Sequence, residues 1–96
     1  MSTRESSLGA NIKKKLKDEG FFVIKIHGTV YSVMGFPDYI AMRKYRQMVF
    51  IETKSGSRLT KIQRRIHGII EAIGFHVVVT SDSKKHTIDH IIEQAG

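Results

Sequence analysis

Residues 35–54 read Gly-Phe-Pro-Asp-Tyr-Ile-Ala-Met-Arg-Lys-Tyr-Arg-Gln-Met-Val-Phe-Ile-Glu-Thr-Lys. An apolar run at Tyr39–Met42 and a second at Met48–Lys54 are separated by the polar residues 43–47, which is the pattern of a β-hairpin. A Glu and a Lys at the end of an otherwise apolar strand are unusual, because burying charged groups is costly unless something pairs with them. We therefore predict that this hairpin carries a charged site at one of its ends.

The charged residues of the hairpin are Asp38, which precedes its first strand, and Glu52 and Lys54, which end its second. Strand alternation puts Glu52 and Lys54 on one face, and pairing brings Asp38 beside Glu52. Pro37 fixes its own φ and restricts the residue before it, so the entry to Asp38 is held rigid. Two carboxylates, the backbone carbonyl of Thr53 and water form a hard oxygen site that suits Mg²⁺, or Mn²⁺, better than zinc. The pattern indicates metal-dependent phosphodiester hydrolysis, with Lys54 orienting water or stabilising charge in the transition state.

The rest of the chain predicts three helices and two further strands. Apolar residues recur at helical spacing in Ser2–Glu19 and in Leu59–Ile73, and a glycine follows each segment. Strands are predicted at Phe21–His27 and Phe75–Thr80, and a third helix at Ser83–Gln94. The predicted element order is therefore α-β-β-β-α-β-α, in a single domain of 96 residues.

Two expectations concern burial. The second helix is expected to bury its isoleucines, namely Ile62, Ile66, Ile69, Ile70 and Ile73. The last strand, which contains Val77-Val78-Val79, is expected to be buried on both faces, because an uninterrupted apolar run is typical of such strands.

Composition limits the class of protein. The chain has no Cys, which excludes disulfides, thiolate zinc sites and a Cys nucleophile. It shows no secretory signal and no apolar run long enough for a membrane span, so we expect a cytoplasmic protein, in the host cytoplasm if the gene is phage-encoded. With 16 Lys and Arg against 9 Asp and Glu, the net charge is +7. This charge favours a polyanionic partner such as nucleic acid, although a basic surface can also serve solubility alone.

Taken together, the motifs resemble those of the PD-(D/E)xK nuclease superfamily, and within it the stand-alone VRR-NUC domains of phage and bacteria. The resemblance covers nearly the whole chain and rests on Glu5, Lys25-Ile26-His27-Gly28, Gly35-Phe36-Pro37-Asp38, Ile51-Glu52-Thr53-Lys54 and Leu59-Thr60-x-x-Gln63. It implies a restriction-endonuclease-like α/β core, in which helices flank a mixed four-stranded sheet. It also implies a Mg²⁺-dependent DNA endonuclease that acts as a homodimer on branched DNA such as Holliday junctions. Symmetrical cutting of a junction needs two sites related by a twofold axis, which agrees with a dimer.

The resemblance also gives catalytic roles to two helix residues. Glu5 would be an outer metal ligand, or equally the Glu of a capping box at the start of the first helix. Gln63 would hold water or phosphate beside Lys54, and it can at the same time close a capping box with Thr60.

DNA contacts are expected on two parts of the chain, whereas the basic turn Arg43-Lys44-Tyr45-Arg46 is a third candidate that is better interpreted as a solvated turn. The loop after the first strand carries Tyr31, and Lys25 near the end of that strand can reach a phosphate or simply extend to water. The start of the second helix presents N–H groups and basic side chains that favour phosphate. The candidates there are Ser55, Arg58, Lys61 and Arg64.

Some interpretations remain open at this point. A surface position is favoured for His67, which follows Gln63 by one helical turn, and His86 and His90 are interpreted as exposed helix residues. Two other functions compete with the structure-selective nuclease. One is a sequence-specific restriction-type endonuclease, for which the chain is short and has no obvious base-reading element. The other is a non-catalytic nucleic-acid-binding module, against which the intact set of acidic and basic hairpin residues argues.

Overall fold

The structure is a computed structural model in which residues 3–26 and 33–96 are described, with side chains from residue 7 onward in the first range. Its elements are α1 (Thr3–Asp18), β1 (Phe22–Lys25), β2 (Tyr39–Met42), β3 (Val49–Thr53), α2 (Lys61–Ile73), β4 (His76–Thr80) and α3 (Lys85–Gln94). The predicted order of elements is confirmed. The first strand begins one residue later than expected and extends to Lys25, while His27 lies outside the described residues.

The four strands form one mixed sheet in the order β1-β2-β3-β4. The pairs β1–β2 and β2–β3 are antiparallel, and β3–β4 is parallel, with α2 as the crossover. Tyr39 lies opposite Ile51, so the predicted hairpin forms, and Asp38 enters the sheet beside the end of β3. The site-bearing strand β3 is thus central, and all five of its residues are buried.

One face of the sheet is covered by α1 and α3 and holds the main core. The predicted apolar stripe of α1, which is Leu8, Ile12 and Leu16, is buried there. It meets alternate residues of the strands and two isoleucines of α3, namely Val23, Tyr39, Ala41, Val49, Ile51, Val78, Ile88 and Ile91. Burying each large aliphatic side chain contributes about 1.5–3 kcal/mol, so this face supplies most of the stabilisation.

The other face of the sheet is covered by α2 only in part. Phe50 of β3 makes edge-to-face contacts with Phe36, at 5.6 Å between ring centroids, and with Phe75, at 6.0 Å. On α2 the buried residues are His67 and Ile70. The expectation that α2 buries its isoleucines is therefore wrong for three of them, because Ile62, Ile69 and Ile73 are exposed.

Helix α2 and strand β4 are more exposed than their apolar composition predicts, because of their positions in the fold. Ile62, Ile66, Ile69 and Ile73 form a stripe that lies about 100° around α2 from the buried side, given 3.6 residues per turn. Strand β4 lies at the edge of the sheet, and Val79 is 44% exposed. The expected burial of β4 on both faces is thus wrong at that residue.

A close approach between α1 and β2 sets the position of Tyr39, the residue that follows Asp38. Gly9 faces the buried Tyr39 ring, and a Cβ atom at Gly9 would overlap the phenolic oxygen and lie 2.8 Å from the carbon that bears it. The absence of a side chain at Gly9 is therefore what lets the ring pack beneath α1.

Candidate active site

Asp38 is held by both of its neighbouring strands. Its carbonyl oxygen accepts a hydrogen bond from the N–H of Ile26 at 2.8 Å. Its carboxylate Oδ2 accepts two more, from the N–H and from the hydroxyl of Thr53, both at 2.8 Å. The β2–β3 ladder runs only as far as Tyr39 opposite Ile51, so the N–H of Thr53, two residues further on, is available to this carboxylate. The geometry leaves Asp38 rigidly placed at the end of β3.

Glu52 is a buried carboxylate, only 2% exposed, and it faces α2. Its Oε1 lies 3.2 Å from Nε2 of His67, and its Oε2 accepts a hydrogen bond from Nε2 of Gln63 at 3.4 Å. Two residues of α2 spaced by one helical turn therefore hold the two oxygens of one carboxylate. This arrangement restricts rotation of the Glu52 side chain and fixes the orientation of its carboxylate group.

The surroundings of His67 favour its neutral form. Burial lowers its pKa, and this effect outweighs the carboxylates of Glu71 and Asp38, which act in the opposite direction, while Lys54 acts together with burial. An ionised carboxylate only accepts, so the tautomer that fits an ionised Glu52 has its hydrogen on Nε2. The expectation of a surface position for His67 is wrong, since the residue is 5% exposed. A buried carboxylate needs donors, and the helix face that covers Glu52 supplies them.

Gln63 performs the capping role that its position predicted and also contacts the site. Its Oε1 accepts the N–H of Thr60 at 2.9 Å, and its own N–H donates to the Thr60 hydroxyl at 3.1 Å, which completes a capping box. Its amide nitrogen at the same time reaches Glu52. The start of α2 is therefore fixed to the end of β3 through one side chain.

If Glu52 holds a metal ion in a nuclease site, Gln63→Ala is expected to lower the rate of DNA cleavage at saturating metal by about 10- to 100-fold, the usual effect of removing an outer partner of a metal-binding carboxylate. The readout is single-turnover cleavage, with thermal unfolding measured in parallel. Thr60→Ala is the matched control, because it removes the cap at a similar cost of about 1 kcal/mol but leaves the contact to Glu52 in place. Equal decreases of cleavage in both variants would assign Gln63 a purely structural role.

The loop that carries Asp38 packs directly on the first turn of α2. Gly35 has φ of 85°, in the left-handed region. A Cβ atom there would lie 2.5 Å from Cγ2 of Ile62 and 2.9 Å from the Ile62 backbone. Both the conformation and the contact therefore require glycine, and together they set the distance between the Asp38 loop and the helix that bears Gln63.

Lys54 borders a groove of about 580 Å³ between the end of β3, the start of α2 and the end of β4. The basic residues that line it are Lys54, Arg58 and Arg64, and Ser81 lies on its opposite wall. The guanidinium of Arg64 donates to the carbonyl of Leu59 at 3.1 Å, which anchors it to the helix start. A groove lined by three cations has the charge to hold a phosphate backbone.

The remaining candidate residues lie at varying distances from this centre. Lys25 is exposed and lies opposite Tyr39 in the sheet, at the same end as Asp38. Lys61 is exposed at the start of α2, and Ser55 is partly buried directly after Lys54. Glu5 is in α1, but its side chain, like Tyr31 as a whole, lies outside the described residues. Their roles stay predictions.

The carboxylates set limits on how a metal ion can be held. Within residues 7–26 and 33–96, no three His, Cys, Asp or Glu side chains come together as a metal-binding group. A cation at this site would therefore rest on Asp38 and Glu52, with further oxygens from the backbone and from water. Mg²⁺ fits such a donor set, because it usually keeps several waters and takes only one or two protein carboxylates.

The structure resembles that of a known domain. A solved structure described as a VRR_NUC domain superposes with a TM-score of 0.77, over 96% of this chain and 97% of that chain, at 23% sequence identity. No family model and no curated protein matches the sequence. The likeness confirms the predicted α/β fold, in which helices flank a mixed four-stranded sheet. In the part of the chain that is described, no helix is long and apolar enough to cross a membrane.

Proposed function

We propose that this chain is a metal-dependent endonuclease that acts as a homodimer on branched DNA such as Holliday junctions. The observation that carries the proposal is the joint placement of Asp38, Glu52 and Lys54 at one end of the central strands, beside a basic groove. The likeness of the fold to a VRR_NUC domain supports the same interpretation.

The cofactor we propose is Mg²⁺, with Mn²⁺ as a substitute. Asp38, Glu52 and the backbone carbonyl of Thr53 would hold it, with Glu5 of α1 as an outer ligand. When bound, the ion supplies Lewis-acid polarisation of the scissile phosphate and activation of a water molecule.

The protein's own residues position the reacting groups. His67 and Gln63 hold the Glu52 carboxylate from the α2 side, and Thr53 holds that of Asp38. Neither acidic side chain therefore has to reorganise when substrate arrives, which favours the transition state. Lys54 lies at the mouth of the groove and is proposed to stabilise the developing negative charge on the phosphate or to orient the attacking water.

DNA binding is assigned to the groove and its surroundings. Arg58→Ala and Arg64→Ala are expected to weaken junction binding and to reduce the slope of log affinity against log salt by about 1 for each phosphate that is no longer neutralised. Fluorescence anisotropy with a catalytically dead variant, over a range of salt concentrations, measures both effects. Arg46→Ala, an exposed cation in the β2–β3 turn at the far end of the sheet, is the control and should leave the slope unchanged.

The experiment that tests the proposed function is a cleavage panel with Mg²⁺ and with Mn²⁺. It compares a linear duplex, a flap, a splayed arm and a four-way junction, with the cuts mapped on each strand. Symmetrically paired nicks in the junction support the proposal. Cleavage of the flap alone would overturn the junction assignment, and site-specific cleavage of duplex would favour a restriction-type enzyme. Junction binding with no cleavage under either metal would leave a non-catalytic binding module.

A further inference from the structure

A large uncharged surface remains open beside the half-covered face of the sheet. Phe22 is 65% exposed, Ile73 is 69% exposed and Met34 is 74% exposed. We call this area the α2–β1 surface and define it by Phe22, Ile24, Val33, Met34, Ile62, Ile69 and Ile73, all of which are exposed.

The sheet topology makes this surface continuous. Ile24 pairs with Ile40, which pairs with Phe50, so these three side chains lie on the face that α2 covers. Phe22 lies on the same face, since it is two residues from Ile24. Because α2 packs against β4, the β1 side of this face is less covered: Phe22 and Ile24 of β1 are exposed, and Ile40 and Met42 of β2 are partly buried.

The direction of the isoleucine stripe on α2 follows from Gly35. The backbone of Gly35, just before β2, lies against Ile62, so the stripe faces the β2–β1 side and not the β4 side. The helix runs antiparallel to β3 and β4, as a crossover between parallel strands must. Ile62 therefore lies near Met34, and Ile73 lies at the end of the sheet where Phe22 begins β1.

The area of this surface is large for a monomer. With full exposure taken as ~150–200 Å² for a residue of this size, the seven residues present roughly 600–800 Å² of exposed surface. The largest apolar patch on a typical monomer is about 300–600 Å². A standard interface buries about 800 Å² on each partner, which this surface approaches.

The distribution of charge on the protein indicates which kind of partner the α2–β1 surface can bind. The protein has a net charge of +7, so two copies repel each other wherever their basic surfaces face. The seven members of the α2–β1 surface are all apolar, and the exposed Arg65 of α2 lies at the border of the isoleucine stripe. The surface is therefore poorly suited to phosphate and well suited to another copy of itself, which in a twofold dimer must present the same surface.

We infer that the α2–β1 surface is the interface with a second copy of this chain. The inference rests on the proposed function only in that the enzyme acts as a homodimer. In this dimer the isoleucine stripe of α2 packs against the equivalent stripe across the twofold axis, and Phe22 of β1 closes the far end. The stripe begins at Ile62, beside the Asp38 loop, so both candidate active sites border the interface. Two active sites related by this twofold axis are what paired cuts in the two strands of one junction require.

The test is the oligomeric state of the full chain without DNA or metal, measured by sedimentation at tens of micromolar. The wild type is expected to be a dimer, and Ile69→Gln/Ile73→Gln is expected to raise its dissociation constant by roughly tenfold or more. Both positions are exposed on a helix, so these substitutions leave the monomer fold intact, which circular dichroism verifies. Tyr45→Asn is the matched control: it removes a 90% exposed aromatic outside the surface, at φ 63°, where Asn is well tolerated.

The outcomes separate this inference from the proposed function. A monomeric wild type would overturn both the interface and the homodimer of the proposed function, whether or not the protein cuts DNA. A double variant that dimerises as tightly as the wild type would overturn the interface alone. A dimer that weakens in Ile69→Gln/Ile73→Gln, but not in Tyr45→Asn, supports the interface even if the cleavage panel is negative. In an active protein, the double variant is further expected to lose paired junction nicks while single nicks persist.

Discussion

Glu52→Gln is expected to lower Mg²⁺-dependent DNA cleavage by about three orders of magnitude or more, while junction binding stays within about threefold of the wild type. The physical reason is that Gln preserves the shape of Glu52 and can still accept a hydrogen bond from one of its two partners, Gln63 or His67, while its NH2 group faces the other. It removes the negative charge, which is what a divalent cation requires. Single-turnover cleavage of a four-way junction, with binding measured by anisotropy, separates the two quantities.

Thermal stabilisation by Mg²⁺ tests the assignment of Glu52 and Asp38 as metal ligands without a measurement of cleavage. Mg²⁺ bound to the folded state stabilises the wild type, by about 2.7 kcal/mol at a concentration one hundred times its dissociation constant. This stabilisation should disappear in Glu52→Gln and in Asp38→Asn. Glu93→Gln, an exposed carboxylate on α3, is the control and should retain both the thermal shift and the cleavage. Undiminished cleavage by Glu52→Gln would refute the assignment of this residue as a metal ligand.

Gly9→Ala is expected to destabilise the protein by about 2–3 kcal/mol, although Ala is normally the better helix former. The added Cβ would overlap the phenolic oxygen of Tyr39, a side chain that is only 6% exposed and packed in the core. Neither partner can move away freely, because α1 and β2 pack against each other there. For a domain of this size the decrease in stability corresponds to roughly 10–20 °C in Tm, measured by calorimetry.

A second helical glycine tests whether the expected loss of stability in Gly9→Ala comes from the close contact with Tyr39. Gly68 is in α2, and a Cβ atom there would meet nothing within 4 Å. Gly68→Ala should therefore stabilise the protein by about 0.5–1 kcal/mol, as helix propensity alone dictates. A gain of stability in both glycine variants would contradict the close packing between α1 and Tyr39. Adding Tyr39→Phe to Gly9→Ala should restore only part of the stability, since ring carbons remain 2.8 Å and 2.9 Å from the new Cβ.

The local pattern of the sequence predicted the elements and the motif that lies on them. The hairpin was predictable because two apolar runs flank a polar turn, and its pairing does bring Asp38 to the end of β3. The Thr60–Gln63 capping box and the end of α2 at Gly74, whose φ is 119°, follow from short-range chemistry that needs no partner element. The roles assigned to these residues in catalysis remain predictions.

The set of elements, their order and the motif at the strand ends could therefore be predicted from local sequence, because these depend on periodicity and on contacts within a few residues. The covered side of each element depends instead on how the elements pack together. Helical periodicity placed the isoleucines of α2 in the core and His67 at the surface, whereas the fold buries His67 against Glu52 and leaves Ile69 and Ile73 exposed. The periodicity of a helix does not say which of its sides will meet the rest of the protein. Here the side of α2 that carries His67 is buried, because it packs over the central strand β3 and its carboxylate Glu52.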